Sequence, residues 1–301
     1  MNNVGSSVSK TLYNSLVSKK KFISDEFVFG HHWCSLNASA IVLSMMLVLN
    51  ISIRWEFILI AYFGTQCIYN FNHYKEIDND SYSKSPRAAH IKKYGGFYPI
   101  IVRLYGLMFF TILILFGNIP SILFGSFLLA LGIIYTTNVK NVSKKMIGFK
   151  SIYTSISWGL LIIFCAIYCN YPLTFAVLLF FLFVFLRMVI ITTFYDIKDI
   201  QSDQESGLVT LPMIFHDKNK WLNFLHVLNI ISLFPIILGV VFRIFPFYSL
   251  LLLPLIFYGF TYIQKAKSKN ADINYLSYIV ADGDYNIWPI LLIVGVLIPV
   301  V

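Results

Sequence analysis

The sequence predicts an all-α, polytopic membrane protein, a bundle of about nine transmembrane helices. Three observations carry this. Hydrophobic residues make up 58% of the chain and charged residues 12%, with a mean hydropathy of +0.74, far more apolar material than a soluble domain uses. Apolar runs of about 20 residues, the length at which a helix spans a bilayer core, recur along nearly the whole chain. If those runs alternate in direction, all of the 23 lysines and arginines except Arg54 and Arg243 fall on one side.

The runs follow one another with short connections. Residues 1–30 form a polar segment with Lys10, Lys19, Lys20 and Lys21, and no small-residue cleavage site precedes a short apolar core, so it reads as a cytoplasmic N-terminal segment rather than a signal peptide. Runs at 35–52 and 55–73 come next, then a polar connection at 74–97. Runs at 98–116 and 119–138, a connection at 139–150, and runs at 151–169 and 172–195 follow. A polar segment at 196–220 leads to runs at 220–242 and 245–264, and residues 265–284 lead to the last run, 285–301. No separate soluble domain fits between them, so residues 1–301 read as a single transmembrane domain.

The charge asymmetry places the N-terminus in the cytoplasm and favours an odd number of spans. The net charge of +9 is thus a topology signal, and anionic headgroups favour the same face; no nucleic-acid partner is needed to explain it. High usage of Asn, Lys, Ile, Phe and Tyr points to an AT-rich bacterial genome, hence the inner (cytoplasmic) membrane. The four cysteines carry no metal-ligand spacing; Cys165 and Cys169 are one helical turn apart in an apolar run and read as packing residues.

Acidic residues do not obey the positive-inside rule, yet all except Glu56 share the basic side. Seven of the fourteen lie in two windows, 76–80 and 196–205. In the second, Asp196, Asp199 and Asp203 stand at i, i+3 and i+7. If the preceding helix continues two turns, they share one face. Three such carboxylates repel unless something positive sits among them, and a hard divalent cation such as Mg2+ suits oxygen donors and phosphate. Lys198 and Arg187 are nearby, although Arg187 lies nine residues before Asp196, half a turn out of phase. In the first window, Asn72, Glu76 and Asp80 follow at i, i+4 and i+8 on a helix leaving the second run.

These two inner, acid-bearing segments, after the second and sixth of nine helices, resemble the UbiA-type intramembrane prenyltransferase superfamily. Its second motif, D-x-x-D-x-x-x-D, is complete in Asp196, Asp199 and Asp203. The following Gly207-Leu-Val-Thr-Leu-Pro212 resembles the family's G-x-x-T-L-P continuation, and Tyr135-Thr-Thr-Asn-Val-Lys140 resembles its Y-[ST]-x-x-[LV]-K segment. The first motif, N-D-x-x-D-x-x-x-D, is degenerate and has two registers. One reads Asn72-His73 with Glu76 and Asp80, and keeps more ligand atoms on one face. The other reads Asn70-Phe71 with Tyr74 and Asp78, and keeps a Lys-Glu-Ile-Asp tail like the family's R-E-I-D.

The resemblance implies Mg2+-dependent transfer of a prenyl group from an isoprenoid diphosphate to a lipophilic or aromatic acceptor, at the cytoplasmic face of the membrane. Asp196, Asp199 and Asp203 would hold metal on one side, Glu76 and Asp80 (Asp78 in the other register) on the other. Lys198 joins the three aspartates as a catalytic candidate, and Asn72, His73, Tyr135, Lys140 and Arg187 are candidates for substrate contacts. His31, His32, His90, His216 and His226 read as polar surface or core residues; Asp282 and Asp284 precede the last helix and could face the same mouth, but read first as solvated caps of that helix start. The alternative is a catalytically altered relative that binds a polyprenyl phosphate or other anionic lipid without transfer. A secondary transporter fits less well, because the apolar runs carry few ionisable groups at mid-depth, Arg187 being the main exception.

Overall fold

The structure is a computed structural model that describes residues 23–80, 86–137, 142, 144–205, 207–215 and 217–298, without the side chains of 76–80 and 202. The described residues are helical and contain no strand. The order is α1 (His32–Val48), α2 (Trp55–Asp80), α3 (Pro86–Tyr94), α4 (Tyr98–Phe116), α5 (Ile119–Thr137), α6 (Phe149–Tyr168), α7 (Phe175–Glu205), α8 (Lys218–Ile231), α9 (Phe234–Val241), α10 (Leu255–Ala266) and α11 (Asp282–Leu297).

Seven helical stretches among the described residues are long and apolar enough to cross a membrane, beginning with Pro86–Phe116 and ending with Ile273–Leu297. The expected first two spans fall on α1 and α2. With 17 residues, α1 is about 25 Å long, short for a bilayer core of about 30 Å. In α2, Gln66, Asn70, Asn72 and His73 dilute the apolar run. By length and hydropathy the described residues thus hold seven such stretches, which does not confirm the expected nine, and α1 and α2 pack against each other.

Packing follows the apolar faces. α2 lies against α4, α6 against α7, and α11 against α1. One core joins them, in which the Phe57 ring meets Phe164 at 4.8 Å and Phe183 meets Trp288 at 4.5 Å. A second core, around Trp221, Leu222, Tyr262 and Phe194, ties α8 and α10 to the far end of α7. Outward faces stay apolar, as with Ile100, Leu104, Leu107 and Ile114 along α4, which suits a helix facing lipid.

One continuation that the sequence reading allowed for and one departure from it matter for the site. α7 has 31 residues and is about 46 Å long, so it overshoots the apolar slab and carries Asp196, Asp199 and Asp203 in its last turns. The final helical stretch starts at Ile273 rather than 285, and passes through a π-helical segment, Leu276–Ala281. Asp282 and Asp284 are therefore interior helix residues, 5% and 0% exposed, and not solvated caps.

Candidate active site

Residues from eight of these helices enclose one cavity of about 400 Å³. It has a polar end and an apolar end. Asn72 and Ile60 both line it from α2, twelve residues and about 18 Å apart along the axis; Lys150 and Phe164 line it from α6, about 21 Å apart. Asp196, Lys198, Asp199 and Asp203 from α7 join Asn72, His73 and Lys150 at the polar end. Phe109, Leu128, Leu129, Leu161 and Phe164 line the rest.

The three aspartates each face an ammonium group. The Lys150 Nζ is 3.4 Å from Asp196 Oδ1 and 3.4 Å from Asp203 Oδ2, and Lys198 Nζ is 2.5 Å from Asp199 Oδ2. Ser151 Oγ donates to Asp196 Oδ2 at 2.8 Å. Burial pushes the Asp203 carboxyl up to about 6, against the pull of Lys150, and the neighbouring Asp196 and Asp199 push it the same way. Lys150 enters because Gly148 turns the chain at φ 67, a conformation that suits glycine, and starts α6 beside α7.

Across the cavity, Asn72 Oδ1 accepts a hydrogen bond from Thr136 Oγ1 at 3.0 Å, which fixes the amide. His73 stacks on His31, with ring centroids 4.4 Å apart and an interplanar angle of 13°. Tyr135 also lines the cavity, stacked on Tyr153 at 5.0 Å. The candidates Lys140, and the side chains of Glu76, Asp78 and Asp80, lie outside the described residues. Arg187 is not brought to this cavity. It is fully buried behind it, bonded to Asp284, to Asn229 Oδ1 at 2.5 Å and to Ser232 Oγ at 3.4 Å.

Three lining residues, Lys150, Arg87 and His31, escaped sequence reasoning, and a fourth, Asp282, was read first as a helix cap. Lys150 and Arg87 looked like ordinary inner-side basic residues; Arg87 lies over the Tyr278 ring at 4.1 Å. Asp282 accepts from the Tyr195 hydroxyl and from Asn37 Nδ2 at 3.3 Å. His31 is 1% exposed, adopts φ 64, and neither ring nitrogen has a hydrogen-bond partner among the described residues. Burial, then the nearby Arg87, hold its pKa well below the usual histidine value, so the imidazole is neutral. Its left-handed backbone was the one signal a sequence cannot print.

The donor set fits a hard divalent cation in kind: carboxylate oxygens on one helix face and an oriented amide oxygen opposite. In the geometry present, no three His, Cys, Asp or Glu side chains among the described residues converge closely enough to hold a metal ion. Ammonium groups take that place.

A family model for the UbiA prenyltransferase family matches residues 36–281, so the chain belongs to that family. The fold agrees with solved structures at low identity. A UbiA homologue from Aeropyrum pernix K1 in its apo form superposes with a TM-score of 0.65 at 16% identity, covering 89% of this chain and 97% of that one. A UbiA homologue from Archaeoglobus fulgidus bound to GPP and Mg2+ gives 0.63 at 12% identity, over 91% and 100%. A digeranylgeranylglyceryl phosphate synthase gives 0.53 at 17% identity, over 91% and 98%. A comparison with curated proteins returns no match. The chain is an integral, multi-pass membrane protein.

Proposed function

We propose that the protein is an intramembrane prenyltransferase that takes its prenyl group from an isoprenoid diphosphate and passes it to a lipophilic or aromatic acceptor. The observation that carries this reading is the cavity itself, which runs about 18–21 Å from a polar mouth formed by Asp196, Lys198, Asp199, Asp203, Lys150, Arg87 and Asn72 to an apolar end. An isoprenoid tail gains by lying in the apolar part, and its diphosphate needs the cations and polar donors at the mouth. The A. fulgidus homologue bound to GPP and Mg2+ supports the same substrate class.

Within this reading, Asp196, Asp199 and Asp203, with Asn72 opposite, hold Mg2+; Glu76 and Asp80 are proposed to join them. Bound there, Mg2+ supplies charge neutralisation on the diphosphate oxygens. Lys198, Lys150 and Arg87 meet the phosphates as fixed cations whose attraction grows as charge builds on the departing oxygen. Tyr135, Tyr195 and Tyr278 line the mouth and offer aromatic faces to the allylic carbon as it becomes cationic. The surrounding apolar wall excludes water that would otherwise capture that carbon. The positive-inside pattern supports a mouth on the cytoplasmic side, in the inner membrane of a bacterium.

A panel of isoprenoid diphosphates from C5 to C20, assayed for diphosphate release by the purified chain in nanodiscs, tests the reading. Magnesium-dependent release is expected. Binding without release would instead support the altered relative that only holds a polyprenyl phosphate, the reading favoured by the lysines seated on every described aspartate of the triad.

A further inference from the structure

Lys150 sits in an unfavourable place for a cation. It is the second residue of α6, in the first turn, where the helix dipole repels positive charge. Its ammonium reaches instead between two carboxylates that are themselves nearly inaccessible, Asp196 at 1% and Asp203 at 6% exposed. These two are seven residues apart on α7, so one point between them is where a shared cation belongs. Lys150 occupies it at 3.4 Å from each. Asp199, on the same helix face, is matched separately by Lys198 at 2.5 Å.

We propose that Lys150 is a resident counter-ion of the Asp196–Asp203 pair, which a divalent cation must displace in order to bind. The inference rests on the prenyl-diphosphate reading of the cavity and deepens it. An ammonium and a divalent cation cannot share that gap without strong repulsion, so in the absence of substrate Lys150 weakens cation binding. The lysine side chain is a flexible four-carbon stem, and it lines the same cavity as Arg87 and Lys198. A diphosphate entering with the cation gives the displaced ammonium a new anionic partner. Cation and diphosphate then bind cooperatively, each easing the other's cost, which keeps the site from loading metal alone.

The test is Mn2+ binding to the purified full chain in detergent, followed by electron paramagnetic resonance without any substrate. Lys150→Met and Lys150→Gln are expected to tighten the Mn2+ dissociation constant at least ten-fold, and Lys150→Arg to stay within about three-fold of the parent. Asp196→Asn added to Lys150→Met should remove the gain, which ties the tightened ion to this pair. Unchanged or weaker Mn2+ binding in both neutral variants, with the parent binding normally, overturns the counter-ion role alone. Absence of Mn2+ binding in the parent and every variant overturns the metal reading with it. A loss of folding in one neutral variant leaves the other to decide.

Discussion

The Arg187–Asp284 pair gives the sharpest stability prediction. Both side chains are fully buried within the bundle, and they join α7 to α11 across 97 residues of sequence. Asp284 is the only carboxylate bonded to Arg187 among the described residues; Asn229 and Ser232 supply neutral acceptors, and the Arg187 Nε has no partner there. Asp284→Asn keeps the shape and one acceptor oxygen but leaves a guanidinium without a counter-charge. Breaking one side of a buried pair costs about 3–5 kcal/mol, which shifts the unfolding equilibrium by roughly a hundredfold to several thousandfold. Replacing both, as Arg187→Met with Asp284→Leu, removes the orphaned charge. Its remaining cost is the unpaired Asn229 oxygen and the Trp288 indole N–H that had donated to Asp284, about 1–3 kcal/mol each. SDS-driven unfolding in mixed micelles measures both. The double variant should be more stable than Asp284→Asn. If Asp284→Asn unfolds at the parent's SDS concentration, the pair does not neutralise a desolvated charge and the reasoning fails.

Two further predictions follow from the polar end of the cavity. Asp203 has a folded-state value of about 6, above the usual aspartate value of about 3.9, so its protonated form is favoured by the fold. Its contribution to stability is complete below about pH 3.9 and is lost as pH rises through about 6. Calorimetry in two buffers of different ionisation heat should show a proton released on Mn2+ binding at pH 5 and none at pH 8, and equal proton release at both would contradict the assignment. In the first acidic segment, Glu76→Gln should cut diphosphate release by about a hundredfold while Asp78→Asn changes it little; the reverse pattern would select the Asn70 register.

Much of the site was legible because it is local. The i, i+3, i+7 spacing of Asp196, Asp199 and Asp203 puts all three on one face once α7 continues past the apolar run, and it does so to Glu205. The same helical arithmetic holds for Arg187, half a turn away, which points into the bundle toward Asn229 and Asp284 instead of the mouth. The residues that were missed reach the site across long stretches of chain. Lys150 meets Asp203 at a separation of 53 residues, and Asn37 meets Asp282 at 245. Asp282 looked like a cap because its flanking residues are polar; the π-helical turn at Leu276–Ala281 carries the helix through them and buries the carboxylate. His31 was one polar residue at the start of an apolar run, and only the fold stacks it on His73.

Lipid mass spectrometry on cells carrying either the parent chain or Asp199→Asn tests the central claim most directly. Asp199 lines the cavity mouth and faces Lys198, so the substitution removes one charge of the triad. Accumulation of a prenylated lipid in parent cells, reduced by about a hundredfold or more in the variant at equal membrane abundance, is the predicted result. A lipid profile that is the same for both, with the parent folded in the membrane, would contradict prenyl transfer at this site.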